Sequence, residues 1–81
     1  MRVPTVHLNG TSKDELRRQL FDAADAGSAF LAALAAMSPN GRDYYPQGDN
    51  AIREAIAEHR ARISRVEAIQ AELVAISYEI L

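Results

Sequence analysis

The chain has 81 residues, of which 25% are charged and 48% hydrophobic, and this length predicts one small soluble domain without room for a second. The formal net charge of -2 argues against a nucleic-acid binder, because contact with many phosphates needs a net basic surface. The chain has no cysteine, which excludes a disulfide framework and a thiolate metal site, and its two histidines are too few for a closed zinc site. We expect no bound metal.

No segment of the sequence predicts export or insertion into a membrane. The longest uncharged stretch, residues 26–41, is too short and too polar at its end to cross a bilayer. The first residues lack an apolar run followed by a small-residue cleavage site. We expect a cytoplasmic protein with no membrane partner, and a chain this small should gain much of its stability from self-association.

Residues 1–11 predict a short extended arm, because residues 3–8 combine β-branched side chains with a proline and Asn9-Gly10 then breaks the segment. Ser12 followed by Glu15 three residues later fits a capping box, in which each side chain reaches a backbone N–H of the first turn. We predict a first helix over residues 12–37. Apolar or small residues recur along this helix at alternating spacings of four and three residues, and we predict that they form the seam, the face in contact with a partner helix. They are Leu16, Leu20, Ala23, Gly27, Phe30, Leu34 and Met37.

Residues 38–49 predict a loop between two helices. Pro39 lacks a backbone donor and disfavours helical geometry at Ser38. A second cap signal at Asp49 or Asn50 begins a predicted helix over residues 50–80. The stripe of this helix that should face the first one has the same spacing: Ile52, Ile56, His59, Ile63, Val66, Leu73 and Ile80, widened by Ile69 and Ile76.

The second helix has another uncharged face, opposite its aliphatic stripe. Its members are mostly small: Ala57, Ala61, Ser64, Ala68, Ala71, Ala75 and Tyr78. Each helix of a two-helix hairpin has one partner, so two apolar faces exceed what a monomer covers; the alternative is alanine's helix propensity on an exposed face. We predict an all-α fold, an antiparallel two-helix hairpin with a short extended N-terminal arm, that assembles into a homo-oligomeric bundle of two or more chains. In an antiparallel pair, the loop of one chain would lie beside the arm of the other.

The loop is richer in ligand-binding side chains than a helix connection needs. Arg42 offers a planar fork for phosphate or carboxylate, and Tyr44 and Tyr45 offer stacking faces and hydroxyls. Asp43 and Gln47 suit a ribose or a base edge. The alternative is that one tyrosine covers the end of the bundle while Arg42 and Asp43 form a local ion pair.

Two other places suit a polar ligand. The arm has His7, Asn9, Thr11 and Ser12 immediately before a helix N-terminus, where unpaired N–H groups attract anions, although capping and a turn also explain these residues. His59 lies among aliphatic residues of the second helix and needs a hydrogen-bond partner, either a structural group or a bound ligand.

Four arginines lie in the loop-proximal half of the second helix: Arg53, Arg60, Arg62 and Arg65. They form either a solvated, salt-bridged face or a basic lining for a small anion. The sequence has no glycine-rich nucleotide fingerprint and no nucleophile motif, and its carboxylates are scattered along helix faces. We predict a protein that is not an enzyme and needs no cofactor.

The strings VHLNGTS (residues 6–12) and NGRDYYPQG (residues 40–48), joined by an alanine-rich helix, resemble a group of small phage and prophage proteins, and the likeness covers nearly the whole chain. Compact, helical, oligomeric phage proteins of this kind look like the sponges that trap nucleotide messengers of bacterial immunity, such as the Sequestin and Lockin families that counter Thoeris.

The resemblance implies a phage anti-defence protein in the cytosol of the bacterial host. It implies a protein that binds, without cleaving, a cyclic ADP-ribose isomer, His-ADP-ribose or a cyclic oligonucleotide, in pockets formed between chains. Arg42 and the N-terminus of the first helix would then bind phosphates, and Tyr44 or Tyr45 would stack on adenine. His7, Asn9, Asp43 or Gln47 would form hydrogen bonds with the hydroxyls and base edges of the ligand. The competing hypothesis is a helical protein-interaction module with no small ligand, since arginine and tyrosine also anchor protein interfaces.

Overall fold

The computed structural model describes residues 1–81 and contains two long helices and no strand. Helix α1 spans Lys13–Ala36 and helix α2 spans Ala51–Glu79, each within one residue of its predicted ends. Two single-turn 3-10 helices, Gly41–Asp43 and Tyr45–Gln47, form the connection. The predicted helical hairpin is confirmed. Neither helix combines the length and the apolar character needed to cross a membrane.

The hairpin is a rod that measures 61 × 21 × 16 Å. Its radius of gyration is 18.4 Å, compared with about 12 Å for a compact chain of this length. Only five residues are buried: Ala24, Leu34, His59, Ser77 and Ile80. The helices thus share a narrow line of contact instead of a thick core, and each group on that line carries a large share of the stability.

The seam of α1 differs from the predicted one at three positions. Ala24 is buried in place of Ala23, and half-buried Leu31 takes the place of Phe30. Phe30 and Met37 are 54% and 67% exposed, so the prediction that they face α2 is wrong. The predicted positions recur every 3.5 residues, as in a supercoiled pair, whereas the observed seam follows a straight helix with about 3.6 residues per turn.

The aliphatic stripe of α2 faces α1 as predicted, except at Ile69, whose side chain is 56% exposed. Polar residues that the sequence analysis did not assign to the seam complete it: Gln70 is half-buried and Ser77 is buried. The opposite face of α2 is largely exposed in the single chain, including Ala57, Ala61, Ser64, Ala68, Ala71 and Tyr78.

Each helix caps the C-terminal end of the other. The Nε2 of His59 lies 2.7 Å from the carbonyl oxygen of Leu34, and the Nε of Arg17 donates to the carbonyl of Ser77 at 3.0 Å. Both carbonyls lie in the last turn of their helix, where the usual N–H partner four residues on is missing; the Leu34 carbonyl also accepts from the Met37 N–H at 3.0 Å. A carbonyl oxygen can only accept, so Nε2 of His59 carries the proton. These bonds join opposite ends of the helices and help to define their antiparallel register.

A third bridge lies near the middle of the rod. The side-chain amide of Gln70 donates to the Ala24 carbonyl at 2.8 Å and to the Ser28 hydroxyl at 3.0 Å. Gly27 makes room for it, because a Cβ at this position would lie only 2.9 Å from the Gln70 Cγ. The glutamine therefore occupies the space that any larger residue at position 27 would need.

The capping box predicted for α1 forms only in half. The Ser12 hydroxyl accepts a hydrogen bond from the Glu15 N–H at 3.2 Å. The Glu15 carboxylate does not reach back, because it accepts from the Nε of Arg18 at 2.9 Å and the amide of Gln19 at 3.2 Å. A charge-assisted bond to arginine is stronger than one to a backbone amide. At α2, Asn50 is the capping residue but makes no side-chain cap bond.

The first turns of α1 should lose stability in acid. Hydrogen bonds from Arg18 and then from Gln19 lower the pKa of Glu15 from 4.5 to about 2. The folded state favours the ionised carboxylate, so this contribution is present above about pH 4.5 and is lost as the pH falls toward 2. In Glu15→Gln, the thermal midpoint measured by circular dichroism should depend less on pH across that window. Asp14→Asn, which changes an exposed carboxylate of the same turn, is the control; equal slopes for Glu15→Gln and the parent protein would contradict the assignment.

Candidate functional site

The connection between the helices has a defined conformation. The Asn40 side chain accepts a hydrogen bond from the Arg42 N–H at 3.0 Å and so caps the first 3-10 turn. Pro46 lies in the second turn, which ends at Gly48 with a φ of 99°. Residues that carry a side chain rarely adopt this left-handed backbone conformation, whereas glycine adopts it readily. The backbone of the connection thereby has a defined shape at one end of the rod, called the closed end below; the termini lie at the open end.

A polar concavity of about 260 Å³ opens at the closed end, between the connection and α2. Arg62 contributes a guanidinium whose ion pair with Glu58 is long, at 3.6 Å. Asp43 contributes a carboxylate and Tyr44 an aromatic ring with a hydroxyl. The full lining is Met37, Ser38, Pro39, Asn40, Asp43, Tyr44, Ala55, Glu58, His59 and Arg62.

A smaller concavity of about 130 Å³ lies on the other side of Tyr44, which lines both. Tyr45 lines this second concavity and is 80% exposed. A ring held in the open by a folded turn is suited to stacking against a planar ligand. The two concavities are therefore separated by one tyrosine and bordered by another.

The structure places six of the ten predicted ligand-binding residues at the closed end. Asp43, Tyr44 and His59 line the polar concavity, Tyr45 lines the smaller one, and the exposed Arg42 and Gln47 line neither. The alternative ion pair between Arg42 and Asp43 does not form. The ion pairs of the chain are those of Arg18 and of Arg62 with acidic residues of their own helix. The Arg42 guanidinium is free to meet an anion that extends out of the concavity.

His59 has the hydrogen-bond partner that its sequence position demands, and that partner is structural. Its buried ring uses Nε2 to bind the Leu34 carbonyl, and the ring also lines the polar concavity. A role in ligand binding would fall to the other ring nitrogen and stays a prediction.

The four predicted arm residues lie at the open end. The Ser12 hydroxyl is occupied by the α1 cap, and a Cβ at Gly10 would lie 2.7 Å from the Nε2 of His7, so the histidine ring packs close over this turn. Asn9 and Thr11 are exposed. Residues 3–6 line a concavity with Glu79 and Leu81, so the arm packs at the C-terminal end of its own α2.

A single chain does not bring the arm and the loop to one ligand, because they lie at opposite ends of a rod 61 Å long. A second chain packed antiparallel is the arrangement that would bring an arm beside a loop. The composite pocket predicted between chains thus depends on assembly.

Comparison of the chain with known protein families, characterised proteins and solved structures finds no match. The resemblance to phage signal-binding proteins stays a prediction.

Four polar residues of the site are absent from the ligand-binding residues predicted from the sequence: Ser38, Asn40, Glu58 and Arg62. Arg62 belongs only to the four arginines interpreted as either a solvated face or a basic lining. The signal that could have found it is position: Glu58 and Arg62 lie in the second and third turns of α2, at four-residue spacing on one side of the helix, close to the connection. Which side of α2 borders the loop depends on the packing of the hairpin, which local patterns do not specify.

Proposed function

We propose that the chain binds a small nucleotide-derived ligand at the closed end and sequesters it without cleaving it. The observation that carries the proposal is the convergence of a guanidinium, a carboxylate and a tyrosine, from Arg62, Asp43 and Tyr44, on one polar concavity. Its volume of about 260 Å³ is slightly below the roughly 300–1,000 Å³ of typical ligand pockets. It would therefore hold one part of the ligand, while the rest extends over the adjacent loop.

The groups around the concavity match the parts of a nucleotide. Arg62 and Arg42 offer planar donors for phosphate oxygens. Asp43 and Glu58 offer acceptors for ribose hydroxyls or an exocyclic amine. Tyr45 offers an exposed face for a base. In an antiparallel assembly, the arm of a second chain would add its histidine and asparagine to the same ligand.

The biological setting of the proposal comes from the resemblance described above. A protein that holds an immune messenger without turnover would remove only as many messenger molecules as it has binding sites. It would act as a phage anti-defence protein in the cytoplasm of an infected bacterium. The ligands to test are cyclic ADP-ribose isomers, His-ADP-ribose and cyclic dinucleotides.

Native mass spectrometry of the protein mixed with this panel tests the proposal. We expect a discrete adduct with the mass of the intact ligand, and recovery of unchanged ligand after denaturation. Arg62→Ala should weaken binding by about tenfold or more, because a charge-assisted hydrogen bond contributes roughly 1.5–3 kcal/mol. Arg42→Ala should also weaken binding if the phosphate extends out of the concavity.

The matched control is Arg65→Ala, because Arg65 is an exposed arginine on the same helix that lines neither concavity. Equal affinity of Arg62→Ala and Arg65→Ala would move the site away from the polar concavity. Ligand recovered as fragments would contradict sequestration.

The second candidate is a helical protein-interaction module with no small ligand. The specific observation in its favour is the exposure of Tyr45 on a defined turn, since exposed tyrosines are frequent anchors in protein interfaces. A protein that forms no adduct with any member of the panel would contradict the first proposal and favour this one.

A further inference from the structure

One long side of the rod has two grooves arranged end to end. The larger groove, of about 650 Å³, lies in the open half. Phe21 from α1 and Val74 and Tyr78 from α2 contribute apolar surface, and Asp25 and Glu67 contribute carboxylates. Phe21 and Tyr78 are both exposed in the single chain, so a large apolar surface is left uncovered here.

The second groove, of about 340 Å³, lies in the closed half. Ile56 and Ile63 contribute apolar surface and Arg60 contributes a guanidinium. Arg60 and Glu67 are seven residues apart on α2, which is two helical turns, so they project from the same side of the helix. The two grooves therefore lie on the same side of the rod, and together they are called the grooved face below.

The charges of the grooved face have no partner within the chain. Asp25, Arg60 and Glu67 take part in none of the ion pairs, which involve only Arg18 and Arg62 with their neighbours. The face is acidic in its open half and basic in its closed half. A molecule with the reverse order of charges would complement it.

The chain exposes more surface than a compact monomer of its mass. The chain exposes 6256 Å² at a mass of 8.9 kDa, whereas a compact monomer of this mass exposes about 4,800 Å². The excess of roughly 1,400 Å² is larger than the ~800 Å² that each partner buries in a standard interface. The chain therefore exposes enough surface beyond that of a compact monomer to supply one standard interface.

We propose that a second copy of this chain covers the grooved face, packed antiparallel about a two-fold axis near the middle of the rod. This orientation sets the acidic half of one chain against the basic half of its partner, twice by symmetry. A parallel pair would set acid against acid and base against base. The apolar wall of each open-half groove, including Phe21 and Tyr78, would pack against the closed-half groove of the partner, with Ile56 and Ile63.

The proposed interface borders the ligand site, because both concavities are lined by Ser38, Pro39 and His59, but it does not cover the wall that the rest of α2 gives to the site. On α2, the polar concavity is lined by Ala55, Glu58 and Arg62, whereas the groove beside it is lined by Ile56, Arg60 and Ile63. These sets flank His59 on opposite sides of the helix. The proposal therefore stands independently of the ligand, and its failure would not contradict ligand binding by one chain.

Charge reversal with mixing tests the interface. Arg60→Glu makes the basic half acidic, and the double variant Asp25→Arg, Glu67→Arg makes the acidic half basic. Each variant alone sets like charges together, so we expect its dimer to dissociate at least tenfold more readily than the parent dimer in sedimentation equilibrium at low ionic strength. An equimolar mixture of the two should restore the dimer, because every contact across the axis then joins opposite charges.

The mixture distinguishes a weakened interface from a folding defect. A chain that is misfolded by its own substitution would not recover when the other variant is added. Circular dichroism checks that each variant is helical. If Arg60→Glu unfolds the chain, Arg60→Gln replaces it for the measurement on the single variant, in which loss of the attraction alone should weaken the dimer. Arg65→Glu, on the exposed outer side of the same helix, should leave association unchanged. A monomeric parent protein, an oligomer that neither reversal weakens, or a mixture that stays monomeric would each overturn the proposal.

Discussion

Replacing Gly27 with leucine should destabilise the hairpin by about 3 kcal/mol or more, because overpacking and loss of a buried polar bridge act together. A Cβ alone at this position would lie 2.9 Å from the Gln70 Cγ, and the remaining leucine atoms would need more space between the helices. Gln70 would be displaced and would lose its hydrogen bonds to Ala24 and Ser28. Urea denaturation followed by circular dichroism measures the change in the free energy of unfolding.

Ala29→Leu is the matched control, because it introduces the same side chain on the exposed side of α1 two residues away. Its effect should stay within about 0.5 kcal/mol. The free energy of unfolding of Gly27→Ala should lie between those of the two leucine variants. Alanine gains up to about 1 kcal/mol of helix propensity over glycine, but its Cβ pushes against Gln70. A Gly27→Leu protein as stable as Ala29→Leu would contradict the close approach of the helices at this point.

Replacing His59 with alanine should destabilise the hairpin by roughly 3 kcal/mol, the sum of a cavity and a lost hydrogen bond. The imidazole is buried, and its Nε2 binds the carbonyl of Leu34 at 2.7 Å. Without it, the last turn of α1 loses its cap from α2. Denaturant unfolding measures the loss, and amide hydrogen exchange should show faster opening of the last turn of α1 than of its middle.

His59→Gln separates the two contributions. Its amide can donate to the same carbonyl, so it should recover about 1 kcal/mol of the loss in His59→Ala. Arg65→Ala, which shortens an exposed side chain on the same helix, should change stability little. If His59→Ala were as stable as Arg65→Ala, the cap would have no energetic role and the histidine would be free to serve a ligand.

The order and bounds of the helices followed from local signals. The Ser12 side chain reaches an N–H of the first turn of α1, and Pro39 stops the helix shortly after Ala36. Each of these effects acts within about one turn of chain, so a single sequence contains all the information required. The hairpin follows because the two helices present long apolar stripes on either side of one short connection.

The candidate site was only partly predictable, for a related reason. The composition of the connection marked Asp43, Tyr44 and Tyr45 as ligand-binding groups, and the structure brings all three to the concavities of the closed end. The same reasoning did not select Glu58 or Arg62, which complete the polar concavity from α2. Their contribution depends on which side of α2 turns toward the loop, and that is decided by the contact of the whole helix with α1.

The sequence by itself determined two helices, their caps and breakers, and the helical hairpin, because these depend on neighbours a few residues apart. Only the tertiary structure decided that Leu31 and not Phe30 faces α2. The difference between a 3.5- and a 3.6-residue repeat rotates a side chain by about 20° per heptad, and only the partner helix shows which repeat applies. The bridges from His59, Gln70 and Arg17 join groups 25, 46 and 60 residues apart. Their acceptors include backbone carbonyls, which every residue has, so the position of a partner becomes visible only when the helices are packed.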